Sequence, residues 1–179
     1  MQAKNLEIHI VEDGEAVSRT AAEMMVDLAL KTLQSKESFA VALSGGSTPK
    51  NMFALLANDA ALRDQMPWDR VHFFWGDERH VPPDHADSNY RMSNEAMLSK
   101  VPVPPENIHR IRAENPDAGK AAEDYEQELR GFFKLGTAQL PKFDCLFLGM
   151  GPDGHTASLF PGTKALHERE RLVVSNWVD

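Results

Sequence analysis

Three short apolar runs, Phe39–Leu43, Val71–Trp75 and Phe143–Leu148, each lead directly into a polar loop that carries glycine. The loops are Ser44–Pro49, Gly76–His80 and Gly149–Pro161. None of the runs alternates apolar with polar. Strands buried on both faces read this way, and such strands belong to mostly parallel sheets covered by helices on both sides. Helix-period segments lie between them. The expected class is α/β, a mostly parallel sheet flanked by helices. In such a sheet the three loops share one edge, beyond the carboxyl ends of the strands, where ligands bind.

The remaining elements follow from spacing. Leu6–Val11 alternates and predicts a strand. Apolar residues at Val17, Ala21, Met24, Met25, Leu28 and Leu33 predict a helix over 16–33, with both methionines in the core. Asn51–Ala57 reads as a second helix, Asn89–Leu98 as a third capped by Ser88, and Ile108–Ile111 as a short strand. A strong helix opens at Asn115-Pro116, with asparagine as cap and proline in the first helical position. Trp75 and the Phe132–Phe133 pair are expected in the core, and Leu172–Val178 as a last strand, exposed as a sheet edge.

Length and charge narrow the function. A chain of 179 residues suits one domain, and 42% hydrophobic residues supply a core. Nineteen basic against 27 acidic residues leave a net charge of −8, a poor footing for nucleic acid or a membrane surface. No run reaches the roughly 18 apolar residues of a membrane span, and the first eleven residues do not read as a signal peptide. The single cysteine, Cys145, excludes an intrachain disulfide and cysteine-pair metal sites, and it points to a reducing, cytoplasmic setting. Inside its apolar run it reads as an inert core thiol.

The loops carry the chemistry. Ser44-Gly-Gly-Ser-Thr-Pro49 combines two glycines with hydroxyls at Ser44, Ser47 and Thr48, just before a helix whose first turn holds Pro49. Thr48 is the expected N-cap. Free N–H groups at a helix start bind anions, so Ser44, Gly45, Gly46, Ser47 and Thr48 form a candidate phosphate cradle. The spacing is not that of a Walker A loop. Arg79 could clamp a phosphate or steady a developing oxyanion. Arg91 opposes the dipole of its own helix, which fits a ligand contact or pairing with Glu95 or Asp87. Gly149-Met-Gly-Pro-Asp-Gly154 matches G-x-G-x-x-G, but Asp153 would face the pyrophosphate and Pro161 leaves little room for the required helix. A general base is the better reading: His155, with the Asp153 carboxylate beside it. No histidine spacing suits a metal, and no G-x-S-x-G elbow is present. These residues alone suggest an enzyme for a small phosphorylated molecule, needing neither metal nor cofactor.

Taken together, Leu43-SGGSTP-Lys50, Trp75-GDERHVP-Pro83, Ser88-NYRM-Ser93 and Gly149-MGPDGHTASLFP-Gly162 resemble the 6-phosphogluconolactonase family, which is related to the glucosamine-6-phosphate isomerases/deaminases. The resemblance implies a modified Rossmann-like core and hydrolysis of 6-phosphoglucono-δ-lactone in the oxidative pentose phosphate pathway. It implies a phosphate-binding loop at Ser44–Thr48, substrate-contacting arginines at Arg79 and Arg91, and His155 as the base with Asp153 beside it. The deaminases continue their Asp-Glu pair with tyrosine, where this chain has Arg79. They place a functional glutamate seven residues after the aspartate of Asp-Gly-His, where this chain has Phe160. That favours the lactonase over deaminase/isomerase-like chemistry. A non-catalytic sugar-phosphate binder is the other rival. Family members continue past the strand matching Leu172–Val178, into a part that brings another basic residue to the phosphate. Residues 1–179 are therefore expected to be a single domain, C-terminally incomplete.

Overall fold

β1 (Phe39–Leu43) is the centre of a three-stranded parallel sheet of order β2-β1-β3 in the computed structural model, which describes residues 6–178. β2 (Val71–Trp75) pairs with it in register from Phe39 opposite Val71 to Leu43 opposite Trp75. β3 (Cys145–Leu146) pairs on the other side, Val41 opposite Cys145. Asp144 prolongs that pairing, since its carboxylate accepts the Ala40 N–H and its own N–H donates to the Ala40 carbonyl. The chain leaves β1 in one direction to make β2, then crosses over β1 to make β3. The order therefore reverses between β1 and β3. A crevice opens at such a switch point, outside the carboxyl ends.

Side chains alternate across the sheet, so its two faces have different cores. Phe39, Val41, Leu43, Val71, Phe73 and Trp75 pack under α1 (Gly14–Thr32), α2 (Ser47–Asn58) and α4 (Asn89–Ala96). The short α3 (Ala60–Arg63) adds Leu62. On the other face Ala40, Ala42 and Phe74 meet Tyr125 and Leu129 of α5 (Ala118–Phe132). Phe74 lies 5.0, 5.7 and 5.4 Å from the rings of Phe132, Phe133 and Phe143. Every residue of β1 is buried, as an uninterrupted apolar run requires. Cys145 is half-buried, and burial pushes its thiol up to about 11, which leaves it unreactive near neutrality.

Several expectations are corrected. Leu6–Val11 forms no strand, and Ile10 is 92% exposed. Leu172–Val178 is not a strand either, so it is not the sheet edge; β3 is the outer strand on that side. Alternation permits a strand, but a neighbour with free N–H and C=O groups decides whether it forms. Part of the last segment bonds to side chains instead: Glu126 accepts the Leu172 N–H and the Arg171 guanidinium. Ile108 makes a single bridge to Phe73, not a strand. α1 begins at Gly14 because Asp13 accepts the Ala16 N–H at 2.9 Å. α5 is capped by Asp117, which accepts the Lys120 N–H; Asn115 accepts the Asp117 N–H and Pro116 stays outside the helix. Met25 is buried but Met24 is exposed.

Beneath α5 lies a histidine pair. His72 Nδ1 and His109 Nε2 are 3.1 Å apart, and His109 Nδ1 donates to Glu128 at 2.8 Å. His109 stacks on Phe74 at 4.3 Å. Burial, then the neighbouring His109, holds the His72 pKa below its ordinary 6.5. An unfolded chain therefore binds a proton there that the folded chain refuses. The His72 contribution is complete above about pH 6.5 and is lost as pH falls below it. In urea unfolding, the stability gap between wild type and His72→Gln should shrink between pH 7.5 and roughly pH 5. A gap that widens on acidification overturns the assignment.

Candidate functional site

The loop after β1 becomes a helix almost at once. α2 starts at Ser47, with Gly46 as N-cap in place of the expected Thr48. Gly46 has φ 113° and no side chain to cap the helix. The N–H groups of Ser47 and Thr48 thus point out of the helix start without an intrahelical partner. No acidic residue stands in that first turn, so the positive end of the helix is left uncompensated. The loop rests on α1: the buried Ser18 hydroxyl shares its proton between the Gly14 carbonyl at 2.9 Å and the Thr48 carbonyl at 3.3 Å. A free helix start of this kind can receive an anion, and Gly46, Ser47 and Thr48 are exposed there.

Ser44 stands apart. It is buried, and its hydroxyl has no hydrogen-bond partner. Trp75 Nε1 and Thr156 Oγ1 are orphaned in the same way. One of the three lies just past β1, one at the end of β2 and one in the third loop. Unsatisfied buried groups are rare, and all three belong to residues at or beyond the carboxyl ends of the strands.

The second loop is a joint. Glu78 Oε1 accepts the N–H groups of Asn89 and Arg79, both at 2.7 Å, while Oε2 accepts Tyr90 N–H at 2.9 Å and Ser88 Oγ at 3.1 Å. Ser88 in turn caps α4, accepting the Arg91 N–H. Asp77 accepts Asn89 Nδ2 through its carbonyl at 3.1 Å, and Ser158 Oγ through Oδ2 at 2.6 Å. Asn89 presses on the first loop: a methyl group at position 45 would fall 2.1 Å from its Oδ1, so only glycine fits there. The three loops are thus joined through Asp77 and Asn89. Arg79 is exposed, and its guanidinium has no ion-pair partner among the described residues. Arg91 is engaged elsewhere, donating to Glu95 at 2.7 Å and the Asp84 carbonyl at 2.8 Å. The pairing with Glu95 that the sequence allowed is the one that forms.

His155 and Asp153 come together as expected. His155 Nδ1 donates to Asp153 Oδ1 at 2.5 Å, which leaves Nε2 as the nitrogen with a lone pair. The ring stacks on Phe160 at 4.1 Å and 26°. The His155 hydrogen bond holds the Asp153 carboxyl below its usual range. Gly151 makes room for this pair: a Cβ there would sit 2.2 Å from His155 Cε1 and 2.9 Å from Asp153 Oδ1. Beside it opens a cleft of about 630 Å³ lined by Asp153, Phe160, Lys164, Asn176 and Trp177, among others. No helix follows the glycine motif directly, against a dinucleotide site.

Sequence reasoning missed Asp77, Glu78, Asn89 and Ser158 as connectors. Their partners are in most cases ten or more positions away, beyond any local pattern. Gly45 and Gly151 gave a signal, but only as glycines, not as contacts for named side chains.

The chain matches the family model described as glucosamine-6-phosphate isomerases/6-phosphogluconolactonase over residues 12–177. It is 40% identical over 166 residues to a 6-phosphogluconolactonase of Nostoc sp., covering 93% of this chain and 67% of that one. It is 45% identical over 143 residues to a 6-phosphogluconolactonase of Synechocystis sp., covering 80% of this chain and 58% of that one. The solved structure of a 6-phosphogluconolactonase from Trypanosoma brucei superposes with a TM-score of 0.79 at 31% identity, covering 92% of this chain and 67% of that one. A monomeric glucosamine-6-phosphate deaminase shares the fold, with a TM-score of 0.74 at 19% identity, covering 89% of this chain and 61% of that one. The chain thus spans 54–67% of the length of the first three curated relatives.

Two substitutions test the geometry without any substrate. Gly151→Ala should part the His155–Asp153 pair, and the Asp153 carboxyl should then titrate higher, toward its ordinary 3.8, by carbon NMR. An unmoved titration rejects the packing described. Ser44→Ala deletes a buried hydroxyl that has no partner, so thermal unfolding should be unchanged or slightly higher. A loss of about 1 kcal/mol or more would mean that the hydroxyl is bonded after all.

Proposed function

Because the chain belongs to the glucosamine-6-phosphate isomerase/6-phosphogluconolactonase family, we propose that it hydrolyses 6-phosphoglucono-δ-lactone to 6-phosphogluconate. One observation carries the choice within the family. The His155 imidazole has a carboxylate on one nitrogen and the Phe160 ring on its face. A phenyl ring there offers no second acid for amine chemistry. It leaves a single base with one free nitrogen, which is what attack by water on a lactone requires.

The geometry supports the following roles. The substrate phosphate sits on the N–H and hydroxyl groups of Ser44–Thr48, of which Gly46, Ser47 and Thr48 are exposed, with Arg79 as the cation unpaired among the described residues. Asp153 fixes the His155 tautomer with the proton on Nδ1. Nε2 takes a proton from water as the water attacks the lactone carbonyl. Backbone N–H groups or an arginine hold the tetrahedral oxyanion. Nε2 then returns the proton to the ring oxygen, and the C–O bond opens. Arg91 reaches the substrate only by leaving Glu95 and the Asp84 carbonyl. The reaction needs no metal or cofactor.

The test is a coupled lactonase assay on the 179-residue chain, corrected for spontaneous opening of the lactone. Wild type should turn over, and His155→Ala should lose on the order of 10²–10⁴-fold. Turnover by His155→Ala at the wild-type rate rejects His155 as the base. A chain that 6-phosphogluconate protects against heat, but that hydrolyses no lactone, is a sugar-phosphate binder.

A further inference from the structure

The segment that carries His155 has few ties to the sheet. Within 149–163 the polar contacts are mostly internal: Gly151 N–H to the His155 carbonyl, Gly154 N–H to the Gly151 carbonyl, and the bridge between Thr156 and Leu159. Most of its residues are exposed or half-buried. One side-chain bond spans 81 positions to the neighbouring loop, from Ser158 Oγ to Asp77 Oδ2 at 2.6 Å. We propose that Asp77 is a positioning residue, whose carboxylate holds the His155 loop at the carboxyl edge of the sheet through Ser158.

Asp77 is suited to this because it is fixed on its other side. Its carbonyl and Oδ1 accept Asn89 Nδ2 at 3.1 and 3.4 Å, and Asn89 is buried against Gly45. The adjacent Glu78 is held by four donors from its own loop and the start of α4. Ser158 is equally well placed. It lies three residues after His155, with Ala157 between them at φ 50°, a strained value for a side-chain-bearing residue that the surroundings must enforce. The Ser158 carbonyl accepts Asn176 Nδ2 at 2.7 Å, so the serine is gripped from two sides. A charge-assisted bond of this length is among the stronger single contacts a loop can have. By fixing the turn that follows His155, it sets where Nε2 stands relative to the cradle on Gly45–Thr48. The structural part of this inference is independent of the reaction. The kinetic part rests on the lactonase reading and on His155 as its base.

The experiment uses the 179-residue chain and three variants, Ser158→Ala, Asp77→Asn and Ser158→Thr. Hydrogen exchange is read over 150–163, and lactone turnover is read separately. Ser158→Ala and Asp77→Asn should speed exchange in that segment by roughly tenfold or more, and Ser158→Thr, which keeps the hydroxyl, should restore it. Ser158→Ala should lower kcat by on the order of tenfold with KM changed by less than about twofold, because misplacing the base costs rate more than binding. Wild-type exchange in Ser158→Ala overturns the proposal. So does a kcat that Asp77→Asn abolishes while Ser158→Ala leaves it intact, since Asp77 would then act on the substrate itself. A wild-type chain with no turnover defeats the lactonase reading alone, and the exchange data still decide whether the loop is held.

Discussion

The parallel pairing of β1 with a neighbour on each side is the constraint on which the rest of the structure depends. Both faces of the strand are buried, and they are filled differently. Phe39, Val41 and Leu43 supply bulk toward α1, α2 and α4, while Ala40 and Ala42 leave space toward α5. The aromatic side chains of Phe74 and Tyr125 occupy that space. The Tyr125 hydroxyl accepts the Trp75 N–H and donates to the Trp75 carbonyl, so the helix is tied to the end of β2. Burial pushes this phenol far up, which keeps it a donor at any ordinary pH. The strand ends are thereby fixed in register, and the loops leave from one edge because the strands cannot do otherwise.

That edge explains why so much of the site was legible in the sequence. β1 and β2 run from Phe39 to Leu43 and from Val71 to Trp75, the same bounds as their apolar runs, because strands buried at all but His72 leave composition to decide. The loops at their ends follow from the parallel arrangement alone. Where outcomes depended on a partner, the reading failed. Leu6–Val11 and the C-terminal 172–178 stretch have suitable patterns but no ladder to join. Caps moved for the same kind of reason: Asp117 competes with Asn115 for one helix start, and the glycine at 46 takes the N-cap position in place of Thr48. The contact between Asp153 and His155 was legible because they are two residues apart. That between Asp77 and Ser158 was not, because nothing local in a chain records a contact across 81 positions.

The electrostatics of the site run against those of the whole molecule. A net charge of −8 disfavours any anion at long range. At short range what matters is which charges are already satisfied. Glu78 spends both carboxylate oxygens on N–H and hydroxyl donors around the start of α4, where a negative charge also complements the helix dipole. Asp77 is covered by Ser158 and Asn89, and Asp153 by His155. The three acidic side chains of the loops are therefore each engaged by donors, Asp77 and Glu78 half-buried and Asp153 at the surface. Lys50, Arg79 and Lys164 are exposed, and none has an ion-pair partner among the described residues. The start of α2 likewise has no acidic residue to compensate its dipole, so these are the groups left to meet an anion at short range. Hydrogen bonding leaves the carboxylates charged but fixes where they stand: Asp77 and Glu78 serve as joints between the loops, while the cations beside them stay unpaired among the described residues.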